Sequence, residues 1–217
     1  MACPHVAGAG AFLKSAHPHW SPSIIKSALM TTATVRNNLG QPVASSRGMA
    51  ATGHDMGVGE IIPLRALSPG LVFDTTTRDY LNFLCYKGYK DKVICKISVD
   101  AQFSCPRGAP SPDLIAKSVN YPSISVPRLA AGKPFAVSRT ATNIGWSNAT
   151  YVVAVEAPPG LLVKVLPKRL LFSRQWATVA YEVSFAHAGA MKGYAYGAVT
   201  WSDGVHSVRT PFAINVV

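Results

Sequence analysis

The sequence has no apolar run of the roughly 18 to 20 residues that a membrane-spanning helix requires. Its opening residues, Met-Ala-Cys-Pro-His, also lack the charged stretch that begins a secretory signal peptide. We therefore expect no membrane partner, and we expect that this chain cannot direct its own secretion.

Acidic residues are scarce, because 10 Asp and Glu stand against 21 Lys and Arg and give a formal net charge of +11. Such an excess attracts acidic partners over long range. The basic residues are scattered, however, and the only dense run comprises Lys87, Lys90, Lys92 and Lys96. Basic motifs interleaved with aromatic side chains are absent, so we predict no nucleic-acid partner.

Cysteines are few, and none of the four is paired in the C-x-x-C spacing of a metal site. His17 and His19 flank Pro18 without an apparent third ligand, so we predict no metal and no cofactor. Three cysteines lie between positions 85 and 105, which makes one local disulfide plausible in a secreted protein. Cys3 is interpreted as a small buried residue, with a reactive thiol as the alternative. Asn148-Ala149-Thr150 is the one sequon for N-glycosylation.

Helical patterns occupy the first part of the chain. Residues 2–16 are rich in Ala and Gly, with apolar residues near helical spacing and Pro4 in the first turn. Ser21 before Pro22 predicts the start of a second helix. Residues 36–117 look irregular, apart from a helix opened by Thr76 and Asp79 and a short one near Asp91–Ile97.

The last hundred residues are predicted to be strands. The predicted strands are Val119–Val126, Phe135–Thr142, Thr150–Glu156, Leu161–Leu166, Leu170–Phe172, Thr178–Phe185, Ala195–Trp201 and Val208–Val216. Several of them alternate with period two, and turn signals such as Asp203-Gly204 separate them. This pattern favours a β-sandwich, with Pro211 at an edge or a bulge.

The first residues resemble a protease segment. Met1, Ala2, Cys3, Pro4 and His5, followed by Val-Ala-Gly, resemble the text that comes directly after Gly-Thr-Ser, with its nucleophilic serine, in subtilisin-like proteases. Further segments resemble the plant branch of that family: 16–22, 25–33, 57–59, 66–67, 69–74, 79–85, 120–124 and 201–204. Departures are Glu60, Ile62 and Ser68, where the family usually has His, Asn and Asp, and residues 45–54 fit poorly.

The resemblance implies an α+β fragment. Residues 1–75 would be the C-terminal end of a subtilisin-like α/β domain, 76–117 a helical linker containing cysteines, and 118–217 an all-β fibronectin type III-like sandwich. It also implies a disulfide between Cys85 and Cys105. We expect 118–217 to fold independently and 1–75 to leave apolar side chains such as Val6, Phe12, Leu13, Ile25 and Leu29 exposed, because the sheet that would cover them is missing.

The resemblance further implies that no catalytic residue lies in this chain. A subtilisin triad runs Asp, His, Ser along the chain, so a chain that begins after the serine lacks all three. His5 lies five positions beyond that serine, or about 1.4 helical turns, and is therefore interpreted as structural. The remaining serines are predicted to have no triad neighbours. A turn explains the closeness of Asp203 and His206.

The function that this implies is the C-terminal part of a secreted, extracellular serine endopeptidase, inactive alone, whose full-length parent acts on protein or peptide substrates. The sandwich would contact the missing catalytic domain. The alternative is a non-catalytic binding module derived from a protease. A third interpretation is that residues 1–33 complement a separately made catalytic fragment.

Overall fold

The computed structural model describes residues 2–46, 48–99, 102–189 and 191–217. Met1, the first residue of the segment that resembles the text after the nucleophilic serine, lies outside this part. The helices are α1 (Ala2–Ala16), α2 (Pro22–Thr31), α3 (Gly53–Met56), α4 (Pro63–Ala66), α5 (Thr77–Tyr86), α6 (Asp91–Ile97) and α7 (Pro112–Ser118). Within the described residues, no helix has the length and apolar character needed to cross a membrane.

Helix starts follow from capping chemistry. Ser21 Oγ accepts a hydrogen bond from Ile24 N–H at 3.1 Å and so caps α2. Thr76 and Asp79 form the predicted capping box of α5. Helices α3, α4 and α7 were not predicted, although Ser111 before Pro112 repeats the signal that opens α2.

The strands are β1 (Leu71–Val72), β2 (Ile124–Leu129), β3 (Phe135–Asn143), β4 (Ala149–Glu156), β5 (Leu161–Leu166), β6 (Arg169–Phe172), β7 (Thr178–His187), β8 (Gly193–Ser202) and β9 (Ser207–Val216). One predicted start is wrong, because β2 begins at Ile124 and not at Val119. The Asn120 side chain binds the Thr140 backbone, accepting from its N–H and donating to its carbonyl at 2.9 Å each, so this segment is held by a side chain before the strand begins.

Two sheets form the sandwich, in the orders β1-β3-β7-β5 and β2-β9-β8-β4-β6. Only the β2–β9 pair is parallel among the described pairings. Strand β9 is internal to its sheet, whereas Pro211 is predicted to lie at an edge or a bulge. The register with β2 nevertheless starts at Phe212, so that at Pro211 only β8 lies alongside.

The sandwich core joins aromatic side chains of both sheets. Tyr181 of β7 meets Trp201 of β8 edge-on with ring centroids 5.1 Å apart, and Phe185 meets Phe212 at 5.2 Å. These rings are buried. The alternation predicted for β7 and β9 therefore produces the packed interface between the sheets.

A second, smaller core lies among the first helices. It contains Leu13, Trp20, Ile24, Leu29 and Val72, with Ala9, Ala28 and Ala66. The expectation that Leu13 and Leu29 are exposed is therefore wrong. Val72 of β1 reaches this cluster, and α1, α2 and α4 close around it without the sheet that the resemblance implies.

Candidate functional site

The start of α1 is exposed. Ala2, Cys3, Pro4 and His5 all lie at the surface, so the expectation of a buried Cys3 is wrong. Only Ala9 and Leu13 of this helix are buried, because the small core covers one side of it. A groove of about 760 Å³ runs beside the helix between His5 and Glu60. That no catalytic residue belongs to the chain stays a prediction.

The cysteine-rich linker contains a disulfide. Cys85 and Cys105 are bonded, with Cα atoms 5.6 Å apart, and the Cys95 thiol donates to the Phe103 carbonyl at 3.3 Å. Asp91 lies beside the pair and accepts from Cys105 N–H at 3.1 Å. The three side chains are close enough to hold a metal ion, but the two sulfurs are bonded to each other in the disulfide and cannot serve as thiolate ligands.

The other predicted positions have ordinary surroundings. His17 Nε2–H donates to the Leu67 carbonyl at 2.9 Å while its ring stacks on Trp20 at 3.8 Å. Asn148 is exposed in the turn before β4, with φ of 58°. Glycosylation of Asn148 stays a prediction.

A hydrogen-bonded cluster of Ser68, His206 and Asp203 lies between the α4–β1 connection and the β8–β9 hairpin. Asp203 Oδ2 accepts from His206 Nδ1–H at 2.8 Å. With its hydrogen on Nδ1, the imidazole presents a lone pair at Nε2, which accepts from Ser68 Oγ–H at 3.1 Å. A serine, a histidine and an aspartate are thus linked in that order by two hydrogen bonds.

The hairpin holds the aspartate in place. Asp203 Oδ1 accepts from the backbone N–H groups of Val205 at 3.0 Å and His206 at 2.6 Å. Burial of the Asp203 carboxyl favours its neutral form, but the hydrogen bonds from the His206 ring and from the two N–H groups outweigh burial and lower its pKa. Asp203 is therefore held as a carboxylate facing the imidazole.

The floor of the cluster requires glycine. Gly70 has φ of +77°, and a Cβ on it would lie 2.5 Å from the Tyr151 hydroxyl and 2.7 Å from His206 Cβ. Burial, reinforced by the nearby Asp203 charge, raises the pKa of Tyr151. Any larger residue at position 70 would push Tyr151 and His206 apart.

A cleft of about 640 Å³ opens in front of the cluster. Ser68 and His206 line it together with Trp146, whose ring meets the imidazole edge-on at 5.7 Å. Three arginines, Arg36, Arg65 and Arg209, also line it, and none of the described lining residues is acidic. The cleft therefore combines a serine hydroxyl, the His206 imidazole as a base, and the positive charge of the arginines.

Sequence reasoning missed this cluster. The prediction that no serine has triad neighbours is wrong for Ser68, whereas the turn that joins Asp203 and His206 is confirmed. Ser68 and His206 are 138 positions apart, so no local pattern connects them. The signal that could have pointed to Ser68 was its place among the departures from the family's usual residues.

Comparisons with known proteins find similarity to plant subtilisin-like proteases along nearly the whole chain. The model of the Subtilase family matches residues 1–59, and that of a fibronectin type-III domain matches 118–214. Subtilisin-like protease SBT5.1 of Arabidopsis thaliana is 41% identical over 222 residues, covering 99% of this chain and 28% of the relative. The CO(2)-response secreted protease of the same plant is 40% identical, covering 99% and 28%. The chain thus spans little more than a quarter of these relatives.

Proposed function

The chain belongs to the plant subtilisin-like protease family, and on that basis we propose that it is the C-terminal part of a secreted serine endopeptidase. The parent would hydrolyse peptide bonds in extracellular proteins or peptides by an Asp–His–Ser triad. That triad would lie in a part of the parent that this chain does not contain and that corresponds to the unmatched portion of the relatives.

The exposed side of α1 is the observation that carries this proposal. Val6 and Phe12 are 47% and 42% exposed although the helix is otherwise apolar. Gly8 and Gly10 leave open space, since a Cβ on either would meet nothing within 4 Å. Burying an apolar side chain stabilises by about 1.5–3 kcal/mol, so this side suits packing against the rest of a peptidase domain.

The N-terminus of α1 supports a role next to the nucleophile. Helix dipoles place partial positive charge at this end, which favours the negative charge that develops on an attacked carbonyl. We infer that α1 presents the nucleophilic serine of the parent, and that the sandwich braces the catalytic domain. The chain alone would hydrolyse no peptide bonds.

Sequencing the native transcript upstream of the Met1 codon tests the proposal. The expected result is Gly-Thr-Ser in frame, with Asp and His segments and a signal peptide further upstream. Recombinant long product should then degrade an unfolded protein substrate, and replacing the serine of Gly-Thr-Ser by alanine should abolish this. An in-frame stop codon without such a segment would contradict it.

A binding module is the second candidate, and two exposed tryptophans favour it. Trp146 and Trp176 are 67% and 50% exposed. Asn143 links them, because its side-chain amide donates to the Trp146 carbonyl at 2.7 Å and its backbone carbonyl accepts from Trp176 N–H at 2.7 Å. Tryptophan is a frequent anchor in protein interfaces. If the transcript encodes no triad, loss of a protein partner on Trp146→Ala, but not on Leu171→Ala, would support this function.

A further inference from the structure

We propose that Ser68 is a reactive nucleophile, activated by His206 and positioned through Asp203, and that the cleft before it accepts small activated esters that carry negative charge. This site is separate from the triad proposed for the parent, since all three residues lie within this chain.

The geometry meets the requirements of an activated serine. A nucleophile and its base need to lie within about 2.6–3.2 Å, with a third group orienting the base. Ser68 Oγ and His206 Nε2 are 3.1 Å apart, and His206 Nδ1 and Asp203 Oδ2 are 2.8 Å apart. Since Asp203 receives the Nδ1 hydrogen, Nε2 is the atom free to take the Ser68 proton.

Accessibility separates the nucleophile from its base. Ser68 is exposed at the surface, whereas the side chains of His206 and Asp203 retain only 7% and 10% of their accessible surface. Because Ser68 lines the cleft, a reagent can approach its oxygen while the hydrogen-bonded His206–Asp203 pair behind it is shielded from water. Shielding strengthens the interaction of the imidazolium, once formed, with the carboxylate.

The charges of the cleft select the reagent. Arg36 and Arg65 lie on the α2–α4 side and Arg209 on β9, and the described lining contains no carboxylate. Arg36 donates to the Gly40 carbonyl at 2.7 Å. Arg209 donates to the Val58 carbonyl at 3.4 Å but also interacts electrostatically with Glu156, so the positive charge of the cleft is assigned mainly to Arg36 and Arg65. An anionic ester is therefore attracted, and positive charge is available to its developing oxyanion.

The proposed reaction consumes only an activated phenyl ester and water. As Ser68 Oγ bonds to the acyl carbon, its proton moves to His206 Nε2, and the bond to the leaving phenolate breaks. The phenolate takes that proton, which restores the neutral imidazole. Water then attacks the acyl carbon, gives a proton to Nε2, and displaces Oγ, which recovers the proton. Ester and water become acid and phenol.

A fluorophosphonate probe tests the nucleophile in the 217-residue chain. The Ser68 oxygen displaces fluoride from phosphorus, and peptide mapping by mass spectrometry locates the adduct. We expect Ser68 to be labelled, with rates at least about 100-fold above those of other serines, because general-base assistance contributes that much. Ser207→Ala is the matched control, since Ser207 lies exposed in the same cleft.

Substitutions distinguish a Ser68 that acts as a nucleophile from a Ser68 that only supports the fold. Ser68→Ala and Ser68→Asp should both abolish labelling, although an aspartate can keep a hydrogen bond to His206 and hold the fold. Asp203→Asn should lower the maximal labelling rate at least about tenfold while the half-saturating probe concentration stays unchanged, as expected of a residue that acts through the base. Hydrolysis of mono-4-nitrophenyl succinate should exceed that of 4-nitrophenyl acetate, and Arg65→Ala should remove the difference.

Three results would overturn the proposal. One is labelling that persists in Ser68→Ala. Another is an adduct on Ser68 that forms no faster than those on other exposed serines of the folded chain. The third is an equal loss of labelling and of near-UV circular dichroism in Asp203→Asn, which would assign the cluster to support of the hairpin.

Discussion

Leu71 and Val72, adjacent in β1, pack into two different cores. Leu71 lies in the sandwich core and Val72 in the cluster among α1, α2 and α4, and both are fully buried. Successive side chains of a strand point to opposite sides, so a strand of two residues, paired with Asn143 and Thr142 of β3, joins the two cores.

Truncating either residue should weaken the chain. We expect Leu71→Ala to lower the free energy of unfolding by about 2–5 kcal/mol, and Val72→Ala by about 2 kcal/mol, because each leaves a cavity in a packed core. Urea titration followed by tryptophan fluorescence measures both. Leu171→Ala, 70% exposed on β6, is the control and should change stability by less than about 0.5 kcal/mol. Equal losses in all three variants would contradict the two-core arrangement.

Limited proteolysis tests the predicted difference in stability along the chain. Residues 118–217 should resist digestion longer than residues 1–75, since α1 retains exposed apolar side chains and only a small core supports it. Because Leu71 and Phe73 lie in the sandwich core, we expect the resistant fragment to retain them. Mass spectrometry identifies the fragments. If the first 75 and the last 100 residues resisted the protease equally, the prediction would be wrong.

Replacing Gly70 should disrupt the Ser68 cluster. Gly70→Ala adds a Cβ that meets Tyr151 and His206, in addition to the strain of a positive φ. Gly132→Ala is matched to it, with φ of +69° and nothing within 4 Å, and should cost only the conformational term of about 1–2 kcal/mol. A thermal melt of both variants should therefore show a clearly larger loss for Gly70→Ala. Similar melting temperatures would show that the Tyr151 side chain moves aside at little cost, and they would contradict the prediction.

The disulfide should stabilise the linker by limiting the unfolded chain. Cys85 and Cys105 are 20 positions apart, and closing a loop of that size contributes about 3 kcal/mol. We expect the double variant Cys85→Ser with Cys105→Ser to lose about this amount in urea unfolding. Cys3→Ser changes an exposed thiol and should be neutral. If reducing agent left the unchanged chain as stable as before, the prediction would fail.

The Asp203 carboxylate predicts a loss of stability in acid. Because its pKa is lowered in the folded chain, its contribution is fully present above the ordinary value of about 3.9 and is lost as the pH falls through the lower folded value. The difference in stability between the unchanged chain and Asp203→Asn should thus shrink on going from pH 5 to pH 3. A difference that stays constant over this range would contradict the prediction.

Much of the local structure could be read from the residues themselves. Strand alternation in β7 and β9, the Ser21 cap and the Thr76–Asp79 box each depend on neighbours within a few positions, so the sequence determined them directly. Motif order along the chain likewise determined the family. These features depend on short-range geometry, which a sequence displays without a fold.

Tertiary packing decided the rest. It made a strand of Leu71–Val72, whose partner β3 lies some seventy positions away, and it buried Leu13 and Leu29 by closing three helices over Val72. It left Cys3 on the uncovered side of α1. It also brought Ser68 to His206 across 138 positions, because the segment before β1 packs on the β8–β9 hairpin, with Gly70 against His206. Contacts between distant segments depend on how whole elements pack, and no local pattern records them.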